Sequence, residues 1–369
     1  MAVTKVTPAG ISLTQIGKNL FYNSDFAVAQ RGTSFTGMGT TTQYTLDGWK
    51  YLSGGSEEGR FTLSQSTTVP AGTGHKQSVK IDVTTVDSSV ASTHSYYCEA
   101  LIEAQNCSHL DYGAATAKSL CISFWTRSST TGDYQFMLEA PDGSRAYSTT
   151  YNIASADTWE KKKIVIAGDS SGTINNDNGI GLICRFTLTA GSAFQGGTQN
   201  AWASTANNMY AAGSTLNLFS STDNDWYIAG LLVEEGDEVT DYPFEDYNTT
   251  LIRCGRYFER LMYNFTATEY VAVGFAASTS SCITIGSYRT AKRANPTMSA
   301  TAANTWDIIY GGGSLAEVGT VNDVDGGEQT FVIVATNVTG SPLTQGDAVQ
   351  WRVDSGDQGD AYIDISSEL

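Results

Sequence analysis

Trp226-Tyr-Ile-Ala-Gly-Leu-Leu-Val-Glu-Glu-Gly-Asp-Glu-Val-Thr-Asp-Tyr-Pro-Phe-Glu245 is the stretch on which the reading of the fold turns. The apolar run from Ile228 to Val233 meets an acidic turn, Glu234-Glu235-Gly236-Asp237. A run of that length, stopped by a glycine-containing turn, reads as a buried strand. The aromatic anchor Tyr242-Pro243-Phe244 follows, and marks where one domain finishes.

Upstream, the chain repeats the same grammar. Arg60–Gln65 and Gln77–Val83 alternate apolar and polar residues with period two, the mark of a half-buried strand. Leu120–Trp125, Tyr134–Glu139, Lys162–Ile166 and Gly181–Leu188 follow, separated by the turn signals Pro141-Asp142-Gly143, Asn175–Gly179 and Gly196-Gly197. Short strands spaced by turns predict an all-β sandwich. Asn248 to Met262 breaks the pattern: Leu251, Ile252, Cys254, Tyr257, Phe258 and Leu261 approximate helical spacing, which predicts a helix of about three turns. Its apolar stripe fits either a core or the axis of an oligomer. Strands return at Tyr270–Phe275 and continue to Ala361–Ser366. The expected organisation is an arm at 1–18, a sandwich at 19–247, a helical linker at 248–262 and a smaller distal β domain at 263–369.

Composition agrees. At 369 residues, two domains are the natural expectation, and 41% hydrophobic residues supply cores for both. Charged residues reach only 16%, and the 37 glycines suit many turns. With 21 basic and 38 acidic residues the net charge is −17. Such a surface repels nucleic-acid phosphates and anionic lipid, so neither is an expected partner. No run of 18 apolar residues exists, so membrane insertion is not expected, and Met1–Gly17 shows no secretory leader. The six cysteines form no CxxC pair, and several lie in apolar stretches, where they read as small buried hydrophobes; one buried disulfide stays open.

Asn19-Leu-Phe-Tyr-Asn-Ser-Asp-Phe26 resembles the opening strand of carbohydrate-binding-module-like jelly rolls. Ala29-Gln-Arg-Gly-Thr-Ser-Phe35, Tyr44-Thr-Leu-Asp-Gly-Trp49, Ile122-Ser-Phe-Trp-Thr-Arg127, Thr158-Trp-Glu160, the Trp226–Glu245 segment and Leu251–Phe258 follow in an order similar to bacteriophage virion fibre proteins, of tail or head. That likeness covers roughly residues 19–260. Tyr288–Thr297 and Ile363–Leu369 resemble the distal part of such fibres more loosely. The resemblance implies a jelly-roll β-sandwich in a homotrimeric structural fibre on the tail or capsid exterior, made in the host cytoplasm. It further implies docking to other virion proteins through residues 1–18, and attachment to a host surface glycan or receptor. Calcium-bearing jelly rolls of this kind share acidic ligands between first and last strands. Asp25 is present here, but Tyr227-Ile228-Ala229 lacks the matching acid.

Catalytic signatures are few. The three histidines, His75, His94 and His109, have no G-x-S-x-G or H-E-x-x-H context, and His75 follows Gly72-Thr-Gly as an exposed turn would. Acidic pairs such as Glu57-Glu58, Asp223 with Asp225, and Glu234-Glu235 read first as solvated turns, although two carboxylates across a cleft can hydrolyse glycosides. The expected class is therefore non-enzymatic, with a carbohydrate-active enzyme or an accessory carbohydrate-binding module as the alternative. No cofactor is required. Asp323 with Asp325, and Asp357 with Asp360, cluster oxygens in glycine-rich segments that suit Ca2+ or a plain turn. Sugar recognition needs exposed flat rings. Trp202, in a polar loop, and Trp306, beside Asn304 and Asp307, are the candidates, against a packing role that most of the seven tryptophans should fill.

Overall fold

The computed structural model describes residues 19–54, 58–262, 270–353 and 361–369. The proposed arm at 1–18 and the acids Asp357 and Asp360 lie outside the described residues. The chain divides into two compact units, Met1–Thr250 and Leu251–Leu369.

The first unit carries β1 (Ser34–Met38), β2 (Gln43–Tyr44), β3 (Trp49–Gly54), β4 (Arg60–Ser66), β5 (Ser78–Thr85), β6 (Ser95–Glu103), β7 (Leu120–Ser128), β8 (Gly132–Ala140), β9 (Arg145–Ile153), β10 (Glu160–Ile166), β11 (Ile180–Ala190), β12 (Trp202–Ser204) and β13 (Asp225–Glu235). They form a jelly-roll sandwich of two antiparallel sheets, ordered β1-β4-β5-β13-β7-β10 and β12-β9-β8-β11-β6-β3-β2. The core is aromatic. Phe186 on β11 lies 5.2 Å from both Phe124 (β7) and Phe136 (β8), 6.0 Å from Trp49 (β3) and 6.1 Å from Trp226 (β13), ring centre to ring centre. All five are fully buried. Both sheets thus close on one ring, and truncating such a residue costs about 3–5 kcal/mol.

The Trp226 stretch is the buried closing strand expected, with a bulge between Ala229 and Leu232 where it meets β7. Asn19–Phe26 is not a regular strand. Asn23 and Phe26 adopt φ of 48° and 59°, left-handed conformations that an extended strand excludes. The segment instead grips the bulge. The Val233 N–H donates to Asn19 Oδ1 (3.0 Å), Asn19 Nδ2 donates to the Leu231 carbonyl (2.8 Å), and the Leu231 N–H donates to the Ser24 carbonyl (3.2 Å).

The helix is shorter than its sequence period suggests. An α-helix covers Tyr247–Gly255, and Phe258–Met262 is a strand. Gly255 ends the helix, and the final strand of the chain offers Phe258–Met262 a complete hydrogen-bond ladder. A spacing of Leu251, Cys254, Tyr257 and Leu261 does not distinguish a long helix from a short one followed by an edge strand.

The second unit contains β14 (Phe258–Met262), β15 (Tyr270–Ala276), β16 (Cys282–Ser287), β17 (Thr297–Ala300), β18 (Trp306–Tyr310), β19 (Ser314–Glu317), β20 (Thr320–Gly326), β21 (Thr330–Thr336), β22 (Ala348–Val353) and β23 (Tyr362–Ser366). The sheets are β14-β23-β17 and β19-β18-β22-β15-β16-β21-β20. Trp306, Trp351, Ile308, Phe331, Ile333 and Ile363 make its core. The Tyr288–Thr297 segment locks this unit. Lys292 Nζ, fully buried, donates to the Gly255 carbonyl (2.5 Å) and to Glu259 (2.7 Å), while Arg293 donates to the carbonyls of Ser367 and Glu368 at 2.8 Å each.

Candidate functional site

Each face of the sandwich is decided by strand alternation, so the outward residues can be read off the register. On the β12–β2 sheet the outward side chains include Tyr97, Glu99, Gln135, Met137, Glu139, Ser148, Arg185 and Thr187, as their cross-strand partners require. These residues are nevertheless mostly buried, because residues 192–217 run across them. Ser148 and Thr187 donate to the carbonyls of Met209 (2.6 Å) and Tyr210 (2.5 Å), and the Gly213 N–H donates to Gln135 Oε1 (2.8 Å). Arg185 sits beneath this strap, 2.5 Å from Glu99 and 3.1 Å from Glu139. Burial works against its charge, but Glu99, Tyr210, Glu139 and Tyr97 together outweigh that and hold the guanidinium protonated. The guanidinium is paired and the cluster is roofed, so it serves packing.

The opposite sheet is only partly covered: Tyr227 and Ala229 of its outward rows are buried, whereas Trp125, Trp159 and Lys161 reach solvent. Two rows cross it outside β10, β7, β13 and β5. Tyr227 pairs with Arg127 on one side and Lys80 on the other. Trp159 enters β10 beside them, its ring 5.9 Å from that of Tyr227. In the next row Trp125 pairs with Lys161. Trp125 and Trp159 are half-buried and Lys161 is exposed. Arg127 lies 5.0 Å and Lys80 5.8 Å from the Tyr227 ring centre. Arg127 is braced by Asp157 (2.8 Å), and Lys80 by Asp82 (2.9 Å). Burial and then the Asp225 charge raise the Tyr227 phenol, so it stays protonated. The surface thus offers two partly bare indoles among fixed donors and acceptors on a rigid sheet. That chemistry stacks on the C–H faces of pyranose rings and hydrogen-bonds their hydroxyls.

Sequence reasoning picked other tryptophans. Trp202 begins β12 at a sheet edge, where a flexible loop was expected. It is half-buried, its Nε1 donates to the Ala167 carbonyl beyond β10 (2.7 Å), and its ring meets Tyr112 and Tyr147 edge-on. The indole ties one sheet edge to the other. Trp306 is fully buried, 5.9 Å from Trp351, so it cannot meet a sugar in the folded state. Its polar neighbours suggested exposure, but Asp307 turns the other way to pair with Arg352 at 2.7 Å. Trp125 and Trp159 were legible: Trp125 shares a face with Arg127, and Trp159 with Lys161 and Lys163, because residues two apart point the same way.

Asp323 and Asp325 belong to β20, opposite Val334 and Val332, rather than to a glycine-rich loop. Among the described residues no group of three or more His, Cys, Asp or Glu side chains converges on a metal-sized space. Burial raises the pKa of Asp25 above the usual carboxylate value. His75 is buried, not in an exposed turn. It stands over Gly230, which has φ +60° and where a Cβ would come within 2.4 Å of the imidazole. Tyr242 and Phe244 flank it at 4.7 and 5.1 Å. His94 faces Asp87 at 3.8 Å and His109 faces Glu235 at 3.7 Å.

No protein-family model matches this chain, and no curated protein does. Solved structures do match. The enzymatically active domain of tailspike protein 4 of bacteriophage CBA120 aligns at 11% identity over 52% of this chain and 20% of its own, TM-score 0.30. A family 11 carbohydrate-binding module from Clostridium thermocellum, solved with a mixed-linked tetrasaccharide, aligns at 13% identity over 58% of this chain and 99% of its own, TM-score 0.28. A xylan-binding domain from Paenibacillus barcinonensis aligns at 11% over 56% and 94%, TM-score 0.25. This chain therefore spans only a minor part of the tailspike's length.

Proposed function

We propose that this chain is a glycan-binding attachment subunit of a phage virion fibre, working by surface contact without making or breaking bonds. The observation that carries the reading is the pair of half-buried indoles, Trp125 and Trp159, set with Arg127, Lys80 and Lys161 on the outer face of a rigid sheet. A flat, shallow surface of this kind binds one saccharide segment weakly. Repetition in a homotrimer converts weak sites into avidity. Residues 1–18 dock the subunit to other virion proteins, and the particle exterior is its place of work.

The test is retention on immobilised host surface polysaccharide. Trp125→Ala and Trp159→Ala are each expected to weaken retention about tenfold, at the upper end of what one aromatic contact supplies. Full retention in the double variant overturns the assignment of the site. Appearance of new reducing ends during incubation with the polysaccharide overturns the non-enzymatic reading.

A further inference from the structure

We propose that the outward face of the seven-stranded sheet in the second unit is buried against a second copy of this chain. The inner face of that sheet already covers a core containing Trp306, Trp351, Phe331 and Ile333. Its outer face is also apolar. One row runs Leu315, Ile309, Gln350, Val273, Ile285, Val332 across six strands, each residue opposite the next. The adjacent row runs Ala348, Phe275, Ile283, Val334. Val273, Phe275, Ile285 and Leu315 are 59%, 48%, 53% and 47% exposed. A sheet apolar on both faces is the pattern of one covered on both faces.

Three features select a second copy as the cover. Across six strands the ten positions of the two rows carry no charge, and acids enter only at the edge strand β20, where Asp325 and Asp323 continue the rows, while the chain carries −17. Copies that repel elsewhere can approach across a neutral face, which is its own electrostatic complement. Secondly, the two rows are aliphatic, with Phe275 their single ring, so they suit another aliphatic surface better than a saccharide. Thirdly, the extent is right. Strands about 4.8 Å apart make six of them span roughly 25 Å. With the neighbouring residues of the same strands, two such rows can form the apolar centre of an interface, whose standard size is roughly 800 Å² per partner. At one end, the turn Tyr310-Gly311-Gly312-Gly313 with Leu315, Ala348, Gln350 and Arg352 frames an open groove of about 510 Å³, room for a side chain from the facing copy.

The experiment uses the full chain. Its solution mass is expected to be a whole multiple of 39.4 kDa, and Val273→Lys with Ile285→Lys is expected to return it to 39.4 kDa with the β-sheet circular dichroism intact. A monomeric parent protein, or a doubly substituted variant that assembles as the parent does, overturns the proposal. Val273→Cys separates this face from other contacts. All six native cysteines are buried, so the new thiol is the one open to maleimide. In the assembled protein it is expected to be shielded, and free labelling without loss of assembly refutes the face. The inference rests on the self-association proposed above, which a monomeric parent removes with it; an assembled protein whose Val273→Cys labels freely refutes this face alone, and glycan retention by Trp125 and Trp159 is read independently.

Discussion

The guanidinium carbon of Arg185 lies 4.1 Å from the ring centre of Tyr210 and 5.0 Å from that of Tyr97, with Glu99 and Glu139 at its nitrogens. The strap of residues 192–217 is thereby fastened to the sheet through a charge that has no route to water. Arg185→Met leaves Glu99 buried without its partner, and removing one member of a buried pair costs about 3–5 kcal/mol. Chemical denaturation of the variant checks this. Arg185→Met combined with Glu99→Leu is expected to recover much of the loss.

His75 sets a pH dependence. Burial, followed by the charge of Lys161, lowers its pKa from 6.5 to about 4. The imidazole is therefore neutral when folded, and the unfolded chain binds the extra proton between those two values. Stability from this residue is full above pH 6.5 and is lost as pH falls towards 4. A decline on the order of 2 kcal/mol across that window is expected, beyond that of a His75→Phe control. Parallel melting curves of the two proteins at pH 7 and pH 4.5 would expose a wrong sign at once.

The cysteines are chemically silent. All six are free and buried, and burial pushes the thiols of Cys107 and Cys184 up to about 12 and that of Cys282 to about 11. Ellman's reagent at pH 8 is expected to find none in the native protein and all six in urea. Rapid reaction of any thiol before unfolding contradicts the packing.

Lys292 tests the second unit by itself. Burial lowers its pKa, and Glu259 at 2.7 Å restores part of the charge. Lys292→Met strands the Glu259 carboxylate and the Gly255 carbonyl that ends the helix. A loss of about 3 kcal/mol is expected in the unfolding of this unit. Hydrogen exchange should report faster opening in β14 and β23 and unchanged protection in β7 and β13.

Much of the architecture was legible because strand alternation is a local signal. β7 and β13 were visible in Leu120–Trp125 and Ile228–Val233, and the all-β sandwich followed from the number and spacing of such strands, while the jelly roll came from the resemblance. The regions misread are those where long-range pairing decides. Phe258–Met262 becomes a strand only because Tyr362–Ser366 arrives beside it, and Asn19–Phe26 stays irregular because it must follow a bulge 200 residues away. The candidate site was harder still. Trp202 looked exposed from its polar neighbours, yet its indole N–H is claimed by Ala167, a partner that sequence proximity does not reveal. Trp125 was legible on the period-two rule as an outward residue, through the face it shares with Arg127.

The strap over the β12–β2 sheet leaves the two halves of the sandwich with unequal freedom to change. Substitutions beneath it must satisfy buried donors, acceptors and ions together. Around Trp125 and Trp159 on the other side the constraints are fewer, so residues there can change while the scaffold stays as it is.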